Sequence, residues 1–121
     1  MAHAGDSRPL REGLEVSCAE ASRLVQTGAP LLDVREASEL EQASIDGAVH
    51  IPLGQIESRL DEVQELAPDG QPLLVVCHHG VRSLRATLAL HALGAPQARS
   101  VAGGIDRWSI EVDGSVPRYA R

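Results

Sequence analysis

Short aliphatic runs alternate with stretches of helical spacing along this chain. Leu14-Glu15-Val16 predicts a short strand. Ser17-x-x-Glu20 has the spacing of a capping box, Ala21, Leu24 and Val25 form an apolar stripe, and Gly28 suits a helix C-terminus, so a helix is expected over 17–27. Pro30-Leu31-Leu32-Asp33-Val34 reads as a buried strand. Arg35 to Glu41 reads as a loop with one or two helical turns, and Ala48-Val49-His50-Ile51 as a short strand stopped by Pro52. Ile56, Leu60 and Val63 have helical spacing, ended by the turn Pro68-Asp69-Gly70. Leu73–Val76 is the most apolar strand. A helix over Ser83–Leu93 follows, with Leu84, Leu88, Leu90 and Leu93 available for burial and Gly94 at its end. Ser100-Val101-Ala102 predicts a last strand, Gly103-Gly104 opens a short helix bearing Trp108, and the tail 109–121 reads as irregular.

Strands that alternate with helices indicate an α/β fold around a mostly parallel sheet. No internal repeat, low-complexity segment or linker divides the chain. Residues 1–13 are polar and aperiodic and are expected to be a flexible lead-in to a single domain over 14–121. In such sheets the ligand crevice lies beyond the C-terminal strand ends. Three polar features fall there: Asp33-Val34-Arg35, His50, and the stretch from Cys77 to Arg82.

Composition narrows the choice of partners. The 121 residues are 43% hydrophobic but only 2% aromatic, so the core must be built from Leu, Val, Ile and Ala. The net charge is -6, and the 11 basic residues are all arginine and form no basic run, which argues against nucleic acid as the main partner. No apolar run approaches the roughly 20 residues of a membrane span, and Met1 to Asp6 lack the regions of a signal peptide. A cytoplasmic protein with no membrane partner is the expectation. The two cysteines, Cys18 and Cys77, form no Cys-x-x-Cys pair, which suggests one reactive and one structural thiol.

Cys77 carries the candidate chemistry. It ends the strand Leu73–Val76 and precedes a helix, so a tight loop can aim several backbone N–H groups at one point. The helix N-terminus and Arg82 add positive charge there, and Gly80 allows the turn. Together these favour a thiolate and make a cradle for an anion that is also a nucleophile. The plainer reading is a buried cysteine at a strand end. His78 and His79 invite a metal reading, but adjacent histidines in a tight loop rarely share an ion and no second Cys or spaced His completes a site, so no metal is assigned. They are expected to shape the pocket mouth or face solvent. His91, mid-helix, reads as a satisfied or surface histidine, and Trp108 as core filling or pocket lining.

Four stretches resemble the signatures of the rhodanese family of sulfurtransferases. They are Leu31-Leu32-Asp33-Val34-Arg35-Glu36, Asp46-Gly47-Ala48-Val49-His50-Ile51-Pro52-Leu53, Cys77-His78-His79-Gly80-Val81-Arg82-Ser83, and Val101-Ala102-Gly103-Gly104-Ile105-Asp106-Arg107-Trp108. The resemblance runs from about residue 14 to 119. The tail Val116-Pro117-Arg118-Tyr119 is similar to that of rhodanese domains fused to enzymes that activate ubiquitin-like proteins. Where the family often has Gly-His-Ile, this chain has Ala43-Ser44-Ile45. The resemblance implies a three-layer fold, with a five-stranded mostly parallel sheet and helices on both faces. It also implies a persulfide cycle without a cofactor. Cys77 would take the outer sulfur of thiosulfate or another persulfide donor, and cyanide, a thiol or a protein acceptor would remove it. His78, His79, Gly80, Val81, Arg82 and Ser83 would form the substrate-binding loop, with Arg82 orienting an anionic donor and Asp33 and Arg35 in support.

Three rivals remain at this stage. Cysteine phosphatases and related arsenate reductases use a Cys-x5-Arg loop, whereas here the spacing is Cys-x4-Arg, a smaller cradle better suited to sulfur than to a tetrahedral oxyanion. A carrier or interaction module would keep the fold and pass sulfur to a partner. A redox sensor would use Cys18 to resolve an oxidised Cys77.

Overall fold

The alternating pattern becomes five strands and five α-helices within residues 9–120, which the computed structural model describes. In chain order they are β1 (Glu15–Val16), α1 (Cys18–Gln26), β2 (Leu31–Asp33), α2 (Ala37–Leu40), β3 (Val49–His50), α3 (Leu60–Leu66), β4 (Leu73–Val76), α4 (Val81–Ala92), β5 (Ala98–Val101) and α5 (Gly104–Glu111). The strands form one sheet in the order β1-β5-β4-β2-β3, and every pair is parallel. Ser17 caps α1 as its sequence spacing predicts, accepting the N–H of Glu20.

Side-chain alternation along the strands explains the layers. Leu31, Leu74 and Val76 join Cys18 and Ala21 of α1 and Ile105 and Trp108 of α5 in one apolar layer. Leu32, Leu73 and Val75 point the other way and pack with Val63 of α3 and with Ala86 and Leu90 of α4. The central strand β4 is buried along its whole length, as a parallel strand covered by helices on both faces must be. Trp108 is core filling, and His91 is satisfied, its Nε2 lying 2.9 Å from the carbonyl oxygen of Ala98.

Topology places the site. From β2 the chain moves outward to β3, and from β4 it moves the opposite way to β5. The connections after β2 and β4 therefore diverge and leave a crevice at their C-terminal ends. Register brings Asp33 level with both His50 and Val76, so all three polar features meet at one edge.

Two expectations about α4 are corrected. It begins at Val81 rather than Ser83, because Gly80 takes a left-handed conformation with φ 104 and its carbonyl already accepts the N–H of Leu84. Its buried face is Ser83, Ala86, Thr87 and Leu90, while Leu88 is 49% exposed and Leu84 and Leu93 are only partly covered. The inward stripe is set by small residues that let the helix approach β4 and β5, a signal that counting leucines misses. Of the expected flexible lead-in, residues 1–8 lie outside the described residues, while residues 12–14 form a turn and the Arg11 N–H donates to Glu15. No helix among the described residues is long and apolar enough to cross a membrane.

The two leucines give a direct check on the packing. Leu90→Ala should lower the unfolding free energy by about 2–5 kcal/mol, and Leu88→Ala by less than about 0.5 kcal/mol, in urea unfolding. Equal losses would contradict this helix orientation.

Candidate active site

Cys77 directly follows β4, and its side chain is 1% exposed. The loop folds back so that the N–H groups of Gly80 and Ser83 both donate to its Sγ, at 3.1 and 3.2 Å. The thiol can in turn donate to the Ser83 hydroxyl, 3.4 Å away, which shares a 2.7 Å hydrogen bond with the Ser100 hydroxyl on β5. The cradle is thus built from backbone amides, as the sequence suggests, and Gly80 and Ser83 supply the two that reach the sulfur.

The opposite side of the loop is held by α5. The N–H groups of Ile105 and Asp106 donate to the carbonyls of Cys77 and His78, at 2.8 and 3.1 Å. With these carbonyls drawn outward, the Gly80 and Ser83 N–H groups are left to face the sulfur. Contact here is so close that a Cβ on Gly104 would lie 2.4 Å from both carbonyl oxygens. A Cβ on Gly80 would lie 3.2 Å from the Gly103 nitrogen. These glycines are needed because backbone packs directly against backbone.

Arg82 does not point unpaired into the cradle. Its two terminal nitrogens clamp the Glu39 carboxylate of α2, at 2.6 and 2.9 Å. Glu39 Oε2 also accepts the Tyr119 hydroxyl at 2.8 Å. Burial alone would raise the Glu39 pKa, but the hydrogen bonds from Arg82 and Tyr119 outweigh it and hold the carboxyl down at about 2. Arg82 therefore ties the loop to α2, with its charge balanced there.

Asp33 and Arg35 form a fully buried ion pair, with Arg35 Nη2 2.7 Å from Asp33 Oδ2 and Nε 3.0 Å from Oδ1. Arg35 also donates to the Ala43 carbonyl at 2.9 Å and to the Tyr119 hydroxyl at 2.8 Å. His50 Nε2 lies 2.6 Å from the Arg35 carbonyl oxygen. Asp33, Arg35 and His50 thus brace the strand ends, while Asp33 and Arg35 also reach Glu39 and Arg82 through Tyr119.

Of the two histidines, His79 meets the sequence expectation and His78 does not. His79 is exposed, but His78 is buried and its ring stacks on Tyr119, with centroids 4.0 Å apart and planes 7° from parallel. Neither ring nitrogen of His78 reaches a partner of good hydrogen-bond geometry. Burial, and then the neighbouring His79, lower its pKa, with a weaker opposing contribution from the Tyr119 backbone. Val81 is exposed at the rim, where a cleft of about 740 Å³ is lined in part by His79, Gly80, Val81 and Gly103. Among the described residues no cluster of three or more His, Cys, Asp or Glu is placed to hold a metal ion.

Cys18 and Cys77 occupy opposite apolar layers of the sheet. The Cys18 thiol contacts the carbonyl oxygens of Ala102 and Gly104, at 3.6 and 3.8 Å. Sequence reasoning missed Glu39, one of three glutamates between 36 and 41 with nothing to mark the buried one. It also missed Ser100, and Tyr119 is marked in the sequence only by the tail similarity.

The Rhodanese-like domain family model matches residues 17–111. The chain belongs to the rhodanese-like family. It is 32% identical over 121 residues to thiosulfate sulfurtransferase 18 of Arabidopsis thaliana, covering 92% of this chain and 87% of that protein. It is 35% identical to adenylyltransferase and sulfurtransferase MOCS3-1 of Zea mays over 115 residues, 91% of this chain but only 25% of that relative's length. The human single-domain sulfurtransferase TSTD1 superposes with a TM-score of 0.72 at 31% identity, over 80% of this chain and 96% of that one. The rhodanese-like signatures read in the sequence coincide with β2, β3, the Cys77 loop and the β5–α5 junction.

Two outcomes test this geometry. Gly104→Ala should destabilise the domain by more than about 2 kcal/mol in urea unfolding, since the new methyl meets two carbonyls that have no room to move. The depressed Glu39 pKa contributes stability that is complete above its ordinary value of 4.5 and lost as pH falls towards about 2. Glu39→Gln should therefore flatten the acid limb of stability in that window, and an unaltered limb would contradict the pairing.

Proposed function

We propose that this rhodanese-like chain is a sulfurtransferase that carries sulfane sulfur as a persulfide on Cys77. The observation that carries the reading is the convergence of the Gly80 and Ser83 N–H groups on Sγ, at 3.1 and 3.2 Å. Both the attacking thiolate and the resulting persulfide are anions, and preorganised N–H donors stabilise each without reorganisation.

With thiosulfate as donor, the Cys77 thiolate attacks the outer sulfur. The sulfur–sulfur bond of the donor breaks, and its electron pair leaves with sulfite. Cys77–S–S⁻ remains, with no net change of charge and no proton transfer required. An acceptor such as cyanide then attacks the terminal sulfur, forms thiocyanate and returns the Cys77 thiolate. A thiol persulfide as donor, or a protein thiolate as acceptor, follows the same exchange. The pairing of Arg82 with Glu39 weighs against a phosphatase, whose loop arginine must be available to the phosphate.

A carrier role in which a protein donates or accepts the sulfur shares this chemistry. It is favoured by the likeness to the maize protein, whose name joins an adenylyltransferase to a sulfurtransferase. The cleft beside His79, Gly80 and Val81 is where such a partner would approach.

Intact-mass measurement after treatment with thiosulfate or glutathione persulfide should show a gain of one sulfur atom. Cys77→Ser should abolish the gain and Cys18→Ser should leave it. A wild-type protein that gains no sulfur from either donor would refute the reading. Arg82→Ala should lower turnover about tenfold by releasing one side of the loop.

A further inference from the structure

The segment after α5 has no regular secondary structure, yet it is fastened at successive points. The Ser109 hydroxyl donates to the Val116 carbonyl, and Val116 is buried in the α1–α5 layer. Arg118 pairs with both carboxylate oxygens of Asp106, at 2.8 and 3.1 Å. Tyr119 then reaches into the loop region. The attachments of Arg118 and Tyr119 fall on residues that touch the Cys77 loop: Asp106 through its N–H to the His78 carbonyl, Glu39 through Arg82, and His78 itself.

The Tyr119 hydroxyl accepts from Arg35 Nη1 and donates to Glu39 Oε2, both at 2.8 Å. Its direction is fixed, because Arg35 can only donate and ionised Glu39 can only accept. It links the Asp33–Arg35 pair to the Glu39–Arg82 pair, and these four formal charges cancel. Its ring meanwhile lies flat against His78, the residue next to the nucleophile.

We propose that Tyr119 is a positioning residue for the Cys77 loop: its hydroxyl couples the Asp33–Arg35 pair to the Glu39–Arg82 pair while its ring covers His78, so the C-terminal segment helps set the loop shape that aims the Gly80 and Ser83 N–H groups at the sulfur. The proposal rests on the persulfide reading and adds a residue that prepares the loop for it. Burial, together with the proton's position towards Glu39, pushes the Tyr119 pKa up to about 12 against the opposing effect of Arg35, so the hydroxyl keeps the proton it donates. Without the hydroxyl, Glu39 loses a donor, and Arg35 Nη1 keeps only a long 3.5 Å contact to the Glu39 carbonyl.

Tyr119→Phe keeps the ring and removes only the hydroxyl. The persulfide should still load fully, but the single-turnover rate of sulfur transfer from Cys77 to cyanide should fall about tenfold, with a smaller change in donor KM. Glu39→Gln, the second variant, keeps the side-chain shape and should show the same fall. In a double-mutant cycle, Tyr119→Phe on the Arg82→Ala background should add less than about twofold, because the link then leads nowhere. Imidazole resonances of His78 should keep their ring-current shift in Tyr119→Phe and lose it in Tyr119→Ala. Alkylation of Cys77 by iodoacetamide needs no sulfur donor and should slow about tenfold in Tyr119→Phe. A wild-type transfer rate in Tyr119→Phe, or losses that multiply with Arg82→Ala, would overturn the proposal. If the wild type takes up no sulfur, the persulfide reading fails by itself, and alkylation decides the positioning role: slowing supports it, an unchanged or faster rate overturns it.

Discussion

A fully buried guanidinium organises this domain. Arg35 is 0% exposed, and an unpaired charge at that depth would be costly to keep. Its donors are met by the Asp33 carboxylate, the Ala43 and Glu39 carbonyls and the Tyr119 hydroxyl. Meeting them forces the end of β2, the α2 turn, the loop after it and the C-terminal segment into one place. The sheet's switch point is consequently tied to elements far apart in sequence. The ion pair's main effect is on arrangement: it specifies where four pieces of chain meet, and the apolar layers on either side supply the burial.

The Cys77 loop is held on both sides by different physics. On one side the backbone N–H groups at the start of α5 take the carbonyls of Cys77 and His78, which is possible only because Gly104 has no side chain. On the other, Arg82 is anchored through Glu39 to the buried charges. Between these anchors the Gly80 and Ser83 N–H groups turn inward to the sulfur. Under the proposed function, such a site would stabilise an anion by oriented dipoles more than by a free cation. Balanced side-chain charges around the loop fit that design, since an unpaired arginine beside Cys77 would be a mobile charge where a fixed one is useful.

The order of strands and helices was legible because each strand is a short aliphatic run ended by a turn or a polar residue, and each helix carries its stripe or cap. The candidate site was legible because strand, cysteine, glycine, arginine and helix occur within one short stretch. What went unread depends on pairing across the chain. Glu39 is one of several similar glutamates, and only the approach of Arg82 and Tyr119 distinguishes it. His78 and His79 are adjacent and identical in type, yet Tyr119 covers one while the other faces solvent. The buried face of α4 was misread because Ala86 and Thr87, rather than Leu88, allow close approach to the sheet.

By itself, then, the sequence determined the local chemistry: the alternation that builds a parallel sheet, the cysteine delivered at a strand end, and the glycines that permit a tight turn. These follow from spacing and backbone freedom, which are properties of neighbouring residues. Only the tertiary structure decided which charges pair, which histidine is buried and which thiol faces which layer. Those outcomes depend on groups brought together from β2, α2, α4 and the C-terminal segment. The balance of desolvation against hydrogen bonding that selects among them exists only once the chain has closed around Arg35.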